Sequence, residues 1–283
     1  MQLHVINTGN FKLDGGAMFG VVPKSLWNKA YPADDNNMCS WAMRCLLVED
    51  GDKLILIDTG IGDKQDSKFF SYYYLHGDDT LLKSILKAGF SPDDITDVVL
   101  THLHFDHCGG AVRRTKNGDG FEPTFRNAVY WVHERQLQWA LHPNPREKAS
   151  FLKENIQPLI DSGRLSTLTL PAGRSSTLLG IDMYVVNGHT EAQLLPIIPT
   201  QHGSLFYMAD LLPSSQHIPL PWVMAYDVRP LITMQEKEEV LRLVYDEQMI
   251  LFFEHDAYTE TALIEKTEKG YRVKSRQPLA EFL

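Results

Sequence analysis

The chain has 283 residues, 43% hydrophobic and 22% charged, with 36 Asp and Glu against 27 Lys and Arg for a formal net charge of −9. That balance is near the globular average and excludes a disordered or fibrous chain, and the lack of any Lys/Arg block excludes the electrostatic footprint of a nucleic-acid binder. Three cysteines, Cys39, Cys45 and Cys108, without CxxC spacing, exclude a disulfide scaffold and suit a reducing cytoplasmic compartment, while the lack of any run of about 18 apolar residues excludes a membrane span.

Length and the absence of a repeat or linker predict one domain over residues 1–283. Strands are expected at "LHVINTG", "AMRCLLVED" and "KLILIDTG", the last two forming a hairpin about Gly51 and Asp52. The long segment 15–38 is too rich in Gly, Pro and large apolar residues for a neutral connector and reads as a functional loop. Leu81, Leu82, Ile85 and Leu86 make a helical stripe that Gly89 stops; "SPDD" then precedes the strand "ITDVVL". "AVYWV" is the next strand, followed by a helix from about His133 and another from about Arg146 to Ser162, bent at Pro158. Further strands are "LSTLTL", "IDMYVVNG", "LLPIIPT", "SLFYMAD" and "MILFFEHD", the last preceded by a helix opening on the capping box Thr233 to Glu236. The end is a hairpin turning near Gly270. Strand groups separated by helices suggest two sheets covered by helices.

The ionisable residues gather at strand ends. "THLHFDHCGG" follows "ITDVVL" and sets His102, His104, Asp106 and His107 into six positions, with Gly109 and Gly110 behind them to turn the chain. At period two, residues 102, 104 and 106 face one way, and neutral imidazole and carboxylate donors converging in this manner suit a divalent metal. One such histidine reads as part of a polar turn, whereas four crowded donors demand a partner. Three more strands deliver one donor each: His189 after "MYVVNG", Asp210 after "SLFYMA" and His255 after "MILFFE".

This order of motifs resembles the dinuclear hydrolases of the metallo-β-lactamase superfamily, whose signature is HxHxDH, and the likeness covers nearly the whole chain. The resemblance implies an α/β fold, a four-layer αβ/βα sandwich of two mixed sheets with helices on the outer faces. It implies that His102, His104 and His189 hold one cation, that Asp106, His107 and His255 hold the other, and that Asp210 bridges them. Asp58, in "LIDTG", falls where the superfamily places a residue supporting the ligands. Zinc suits these donors, and iron, manganese or cobalt would too.

Asp210 stands where antibiotic-hydrolysing members have cysteine, and His104 where flavodiiron proteins have glutamate, which turns the reading from both branches. "LDGGAMFGVVPKSLWNKAYP" and "DLLPSSQHIPLPWVMAYD" are similar to YtnP-like quorum-quenching N-acyl homoserine lactonases, with methyl parathion hydrolases as relatives. The resemblance implies a homodimer that opens a lactone through a hydroxide held on the metals, with Asp106 passing a proton to the leaving oxygen. Met18, Phe19, Trp27, Trp222, Met224 and Tyr226 are candidates for an acyl pocket; loop packing or a dimer contact would use the same residues. The tyrosine that better-known lactonases carry three residues after the bridging Asp is Pro213 here, leaving Tyr226 and His217 as substitutes. A glyoxalase II-like thioesterase, an organophosphate triesterase and a non-catalytic metal or ligand sensor are the alternatives. His133 and Cys108 read as structural.

Overall fold

The computed structural model describes residues 1–177, 179–201 and 203–282, which divide into two compact units: residues 1–9 with 43–170, and residues 10–42 with 171–283. The expectation of an α/β protein on mixed sheets is met. Strands β1 (Gln2–Asp14), β2 (Met38–Asp50), β3 (Lys53–Ile57) and β4 (Asp97–Val99) open the chain. After them come β5 (Val112–Arg114) and β6 (Phe121–Pro123), a small hairpin of their own, then β7 (Val129–His133) and β8 (Leu165–Leu168). The main sheet runs β1-β2-β3-β4-β7-β8. Strands β2 and β3 are antiparallel about Gly51, whose φ of 60° is the left-handed geometry a tight hairpin needs. Strands β3, β4, β7 and β8 are parallel, so their connections must cross over, and helices 81–87, 134–141 and 153–161 lie in those connections. The apolar runs of these strands pack Leu47, Leu56, Val98, Tyr130 and Val132 with Ile85, Ile156 and Leu159. Each such side chain contributes roughly 1.5–3 kcal/mol of burial.

In the second unit a seven-stranded sheet runs β15-β14-β13-β12-β11-β10-β9, from β9 (Gly173–Ser176), β10 (Asp182–Val186), β11 (Gln193–Thr200) and β12 (Gly203–Tyr207) to β13 (Ile250–Phe252), β14 (Thr261–Thr267) and β15 (Gly270–Gln277). All its pairs are antiparallel except β12 with β13, and the helix Pro230–Asp246 supplies that crossover.

Three local expectations need correction. The helix expected from Arg146 begins only at Lys153, because Asn144 Oδ1 accepts the amides of Arg146 and Glu147 and closes a turn there instead. The capping box at Thr233 does not form. The helix starts earlier, at Pro230, where a missing N–H costs nothing, and Glu236 accepts the amides of Asn187 (2.6 Å) and Gly188 (2.9 Å) instead. Segment 15–38 holds two short helices, Gly15–Phe19 and Lys24–Ala30, the first capped by Asp14.

Candidate metal centre

Parallel pairing sets Ile57 beside Val99, so β3 and β4 release their chains at one sheet edge, Asp58 from the first and His102 three residues beyond the second. Asp58 is fully buried with φ of 56°, a left-handed conformation costing a non-glycine residue roughly 1 kcal/mol. Its Oδ1 accepts the Thr101 amide (2.8 Å), and its Oδ2 accepts the Thr101 hydroxyl (2.7 Å) and the His107 Nδ1–H (3.1 Å). The single Thr101 hydroxyl proton is spent on Asp58. His102 Nδ1, 3.1 Å from that oxygen, is therefore the donor of its pair, and Nε2 keeps the lone pair.

His102 Nε2 stands 3.1 Å from His104 Nδ1, while the other nitrogen of His104 lies 3.3 Å from Glu147 Oε1. Two nitrogens bound tetrahedrally at about 2.0–2.1 Å to one zinc ion would lie roughly 3.3 Å apart, so the pair fits a cation between them. His107 keeps Nε2 for a ligand, 3.9 Å from Asp106 Oδ2. All four donors are buried; His104 is still extended, whereas Asp106 and His107 lie on the short helix Phe105–Cys108.

The second unit builds its donors by register. Strands β12 and β13 pair Tyr207 with Phe252, and each delivers its donor three residues later, Asp210 and His255. Strand β10, antiparallel to β11 as β11 is to β12, runs the same way and releases His189 at the same edge. His189 Nδ1–H donates to Asp227 (2.9 Å) and His255 Nδ1–H to the Ala42 carbonyl (2.8 Å). Both Nε2 atoms then meet one carboxylate: His189 lies 3.1 Å from Asp210 Oδ2 and His255 3.1 Å from Asp210 Oδ1. Burial alone would lower the His189 pKa, but the charges and hydrogen bonds of Asp210 and then Asp227 raise it to about 10. The two carboxylates give this pocket negative charge suited to a cation.

The proposed pocket residues fall differently. Met18, Phe19, Trp27, His217 and Met224 are buried, with Phe19 stacked on both Trp27 (5.2 Å) and His217 (4.9 Å). Only Trp222, half-buried, and Tyr226, 41% exposed, keep free surface. His217 donates Nε2–H to Met18 O and accepts from Ser214 at Nδ1, both at 2.8 Å, and burial pushes its pKa down to about 3. It is a neutral packing residue with both nitrogens engaged. His133 caps the following helix by accepting the Arg135 amide, and Cys108 Sγ donates to Leu103 O within the core. Sequence reasoning missed Glu147 and Asp227, and also Phe69 and Tyr73, whose rings pack on Phe105 inside the motif at 5.3 and 4.8 Å.

Lys237 anchors the loop carrying Trp222. Fully buried, it donates to the carbonyls of Pro219 (2.9 Å), Leu220 (3.3 Å) and Trp222 (2.8 Å). Burial pushes its pKa from 10.5 down to about 7, with Asp227 opposing. The unfolded chain therefore binds the extra proton between those two values, and folding stability rises with pH across that window and is flat below it, by up to roughly 1 kcal/mol per pH unit. Urea midpoints should give wild type a growing advantage over Lys237→Met from pH 7 to pH 9.5; a constant difference would refute this.

Residues 44–255 match the family model described as "Metallo-beta-lactamase superfamily". The chain is 25% identical over 229 residues to the N-acyl homoserine lactonase AiiA of Bacillus thuringiensis subsp. kurstaki, covering 76% of this chain and 82% of that protein. Among solved structures, a probable metal-dependent hydrolase from Staphylococcus aureus superposes with a TM-score of 0.86 at 28% identity, covering 97% of this chain and 95% of the other. AidC, a dizinc quorum-quenching lactonase crystallised with a product, shares the fold at a TM-score of 0.76 and 22% identity, over 98% of this chain and 94% of its own.

Proposed function

The chain belongs to the metallo-beta-lactamase superfamily and is a metal-dependent hydrolase, and on that premise we propose that it opens the lactone ring of N-acyl homoserine lactones at a dinuclear centre. The observation that carries the metal chemistry is Asp210, whose two oxygens each stand 3.1 Å from a different histidine Nε2, so that this carboxylate would be able to serve two cations. The lactone is favoured by the AiiA relationship. The proposed donors are His102, His104, Asp106, His107, His189, Asp210 and His255, and nitrogen with carboxylate oxygen suits zinc.

Divalent cations held by these donors would supply Lewis acidity toward the carbonyl and lower the pKa of a water toward neutral. The chain's own residues do the rest. Asp58, Thr101 and Asp227 set the tautomers of His102, His107 and His189 through the ring nitrogen that each imidazole turns to them. Asp106 holds the attacking water by hydrogen bond, takes its proton, and passes it to the ring oxygen as the acyl–oxygen bond breaks. No serine or cysteine nucleophile is required. The phenol absent at Pro213 is not replaced by His217, whose nitrogens are engaged.

The test is a proton-release assay of zinc-loaded protein against C6 and C12 homoserine lactones, S-lactoylglutathione and paraoxon. The expected result is turnover of the lactones with kcat/KM at least about tenfold above the thioester and phosphotriester. Acid release from neither lactone overturns the reading, and faster cleavage of one of the others names its replacement.

A further inference from the structure

Glu147 is a carboxylate 3% exposed, and its two oxygens have separate occupations. Oε2 accepts the Trp139 indole N–H and the Asn144 amide N–H, both at 2.6 Å. The orientation of Asn144 is fixed, since its Oδ1 accepts the backbone amides of Arg146 (2.9 Å) and Glu147 (3.1 Å), which commits its NH₂ to the carboxylate. Oε1 is turned to His104 Nε2 at 3.3 Å. The same loop is tied to the motif twice more. Its Ser150 carbonyl accepts the Phe105 amide (3.0 Å), and the Phe151 ring packs 4.9 Å from the His104 imidazole.

We propose that Glu147 is a positioning residue that fixes the tautomer of His104, accepting the Nε2–H so that Nδ1 presents its lone pair to a cation in common with His102 Nε2. The physical reason is acceptor chemistry. An ionised carboxylate can only accept, so the imidazole nitrogen facing it must carry the proton, and the lone pair is left on the opposite nitrogen, 3.1 Å from His102 Nε2. Trp139 and Asn144 take up Oε2 with two donors, which stabilises the ionised form and keeps Oε1 aimed. The inference rests on the metal-centre reading and is independent of the substrate.

The experiment uses the full chain. Histidine ring ¹⁵N spectra of the zinc-loaded protein should find His104 protonated at Nε2, with assignment by its loss in His104→Gln. Zinc affinity, measured by competition with a chromophoric chelator, should weaken about 10–100-fold in Glu147→Ala and by an intermediate factor in Glu147→Gln, which preserves the volume and one acceptor. Cobalt spectra of Glu147→Gln should change in the d–d region, which a remote packing defect would leave alone. Nδ1 protonation of His104 in the wild type, or wild-type zinc affinity in both variants, overturns the proposal. Because these readouts need no substrate, an inactive enzyme with the predicted tautomer would count against the lactonase reading alone.

Discussion

Asp210→Asn is expected to reduce the proposed lactone hydrolysis by at least about 10³-fold and to lower bound zinc from the proposed two ions per chain toward one or none, as counted by elemental analysis of protein dialysed against trace metal. The substitution keeps the shape of the side chain and removes one charge, so the fold is not the variable. Both Asp210 oxygens stand 3.1 Å from histidine Nε2 atoms whose rings already donate Nδ1–H, to Asp227 and to Ala42 O. An amide must turn an NH₂ donor toward one of those nitrogens, so at most one can share a cation with it. Removing the charge also takes away one of the carboxylates that face His189, so the negative potential suited to a cation weakens at the same time. Two tightly bound zinc ions in Asp210→Asn, with activity within tenfold of wild type, would refute the role given to this carboxylate. Asp227→Asn tests orientation separately. It leaves all seven donors in place, and its loss should be nearer 10–100-fold in metal affinity.

Much of the candidate site was legible because its proposed donors follow strands, and strands announce themselves by local composition. "DVVL", "SLFYM" and "ILFF" are apolar runs whose ends can be read without a partner in view, and His102, Asp210 and His255 each lie two residues beyond one of them. The residues that orient those donors were not legible. Glu147 lies 43 positions from His104 and Asp227 lies 38 from His189, each in an irregular loop with no periodicity. Nothing local separates them from solvated surface acids. The capping box failed for a related reason: Thr233 and Glu236 satisfy the local pattern, but the nearby amides of Asn187 and Gly188 compete for Glu236 and win. Aromatic residues of segment 15–38 and of the loop after Asp210 could be identified as important but not as pocket or core, since both environments select the same side chains. Here Phe19, Trp27 and His217 are packed on one another and buried.

Gly109→Ala should be among the most damaging single changes in the chain, costing about 3 kcal/mol or more and abolishing activity, although it adds one methyl group. Backbone conformation does not explain the glycine. Its φ of −59° and ψ of −43° are helical and open to any residue. What excludes a side chain is proximity: a Cβ there would lie 2.1 Å from the Ile61 carbonyl oxygen and 2.5 Å from its carbon, both backbone atoms with no rotamer by which to retreat. The loop 58–62 is held in that position by the Asp58 amide on Val99 O (2.9 Å), the Thr59 amide on His107 O (2.8 Å) and the Gly110 amide on Gly60 O (3.0 Å). Lys64 adds a buried ammonium that donates to the Gly109 carbonyl. Relief of the clash must therefore push the loop and the motif apart, and the first interactions to lengthen are those of Asp58 with Thr101 and His107, which set the ring orientations of His102 and His107. Denaturant midpoints should consequently fall together with zinc affinity. Gly51→Ala is the control, since a Cβ there meets nothing within 4 Å and the cost comes only from its φ of 60°. It should lose roughly 1 kcal/mol of stability while zinc affinity stays at the wild-type value. If Gly109→Ala matched Gly51→Ala in both measurements, the tight apposition of the two loops would not be what holds the donors in place.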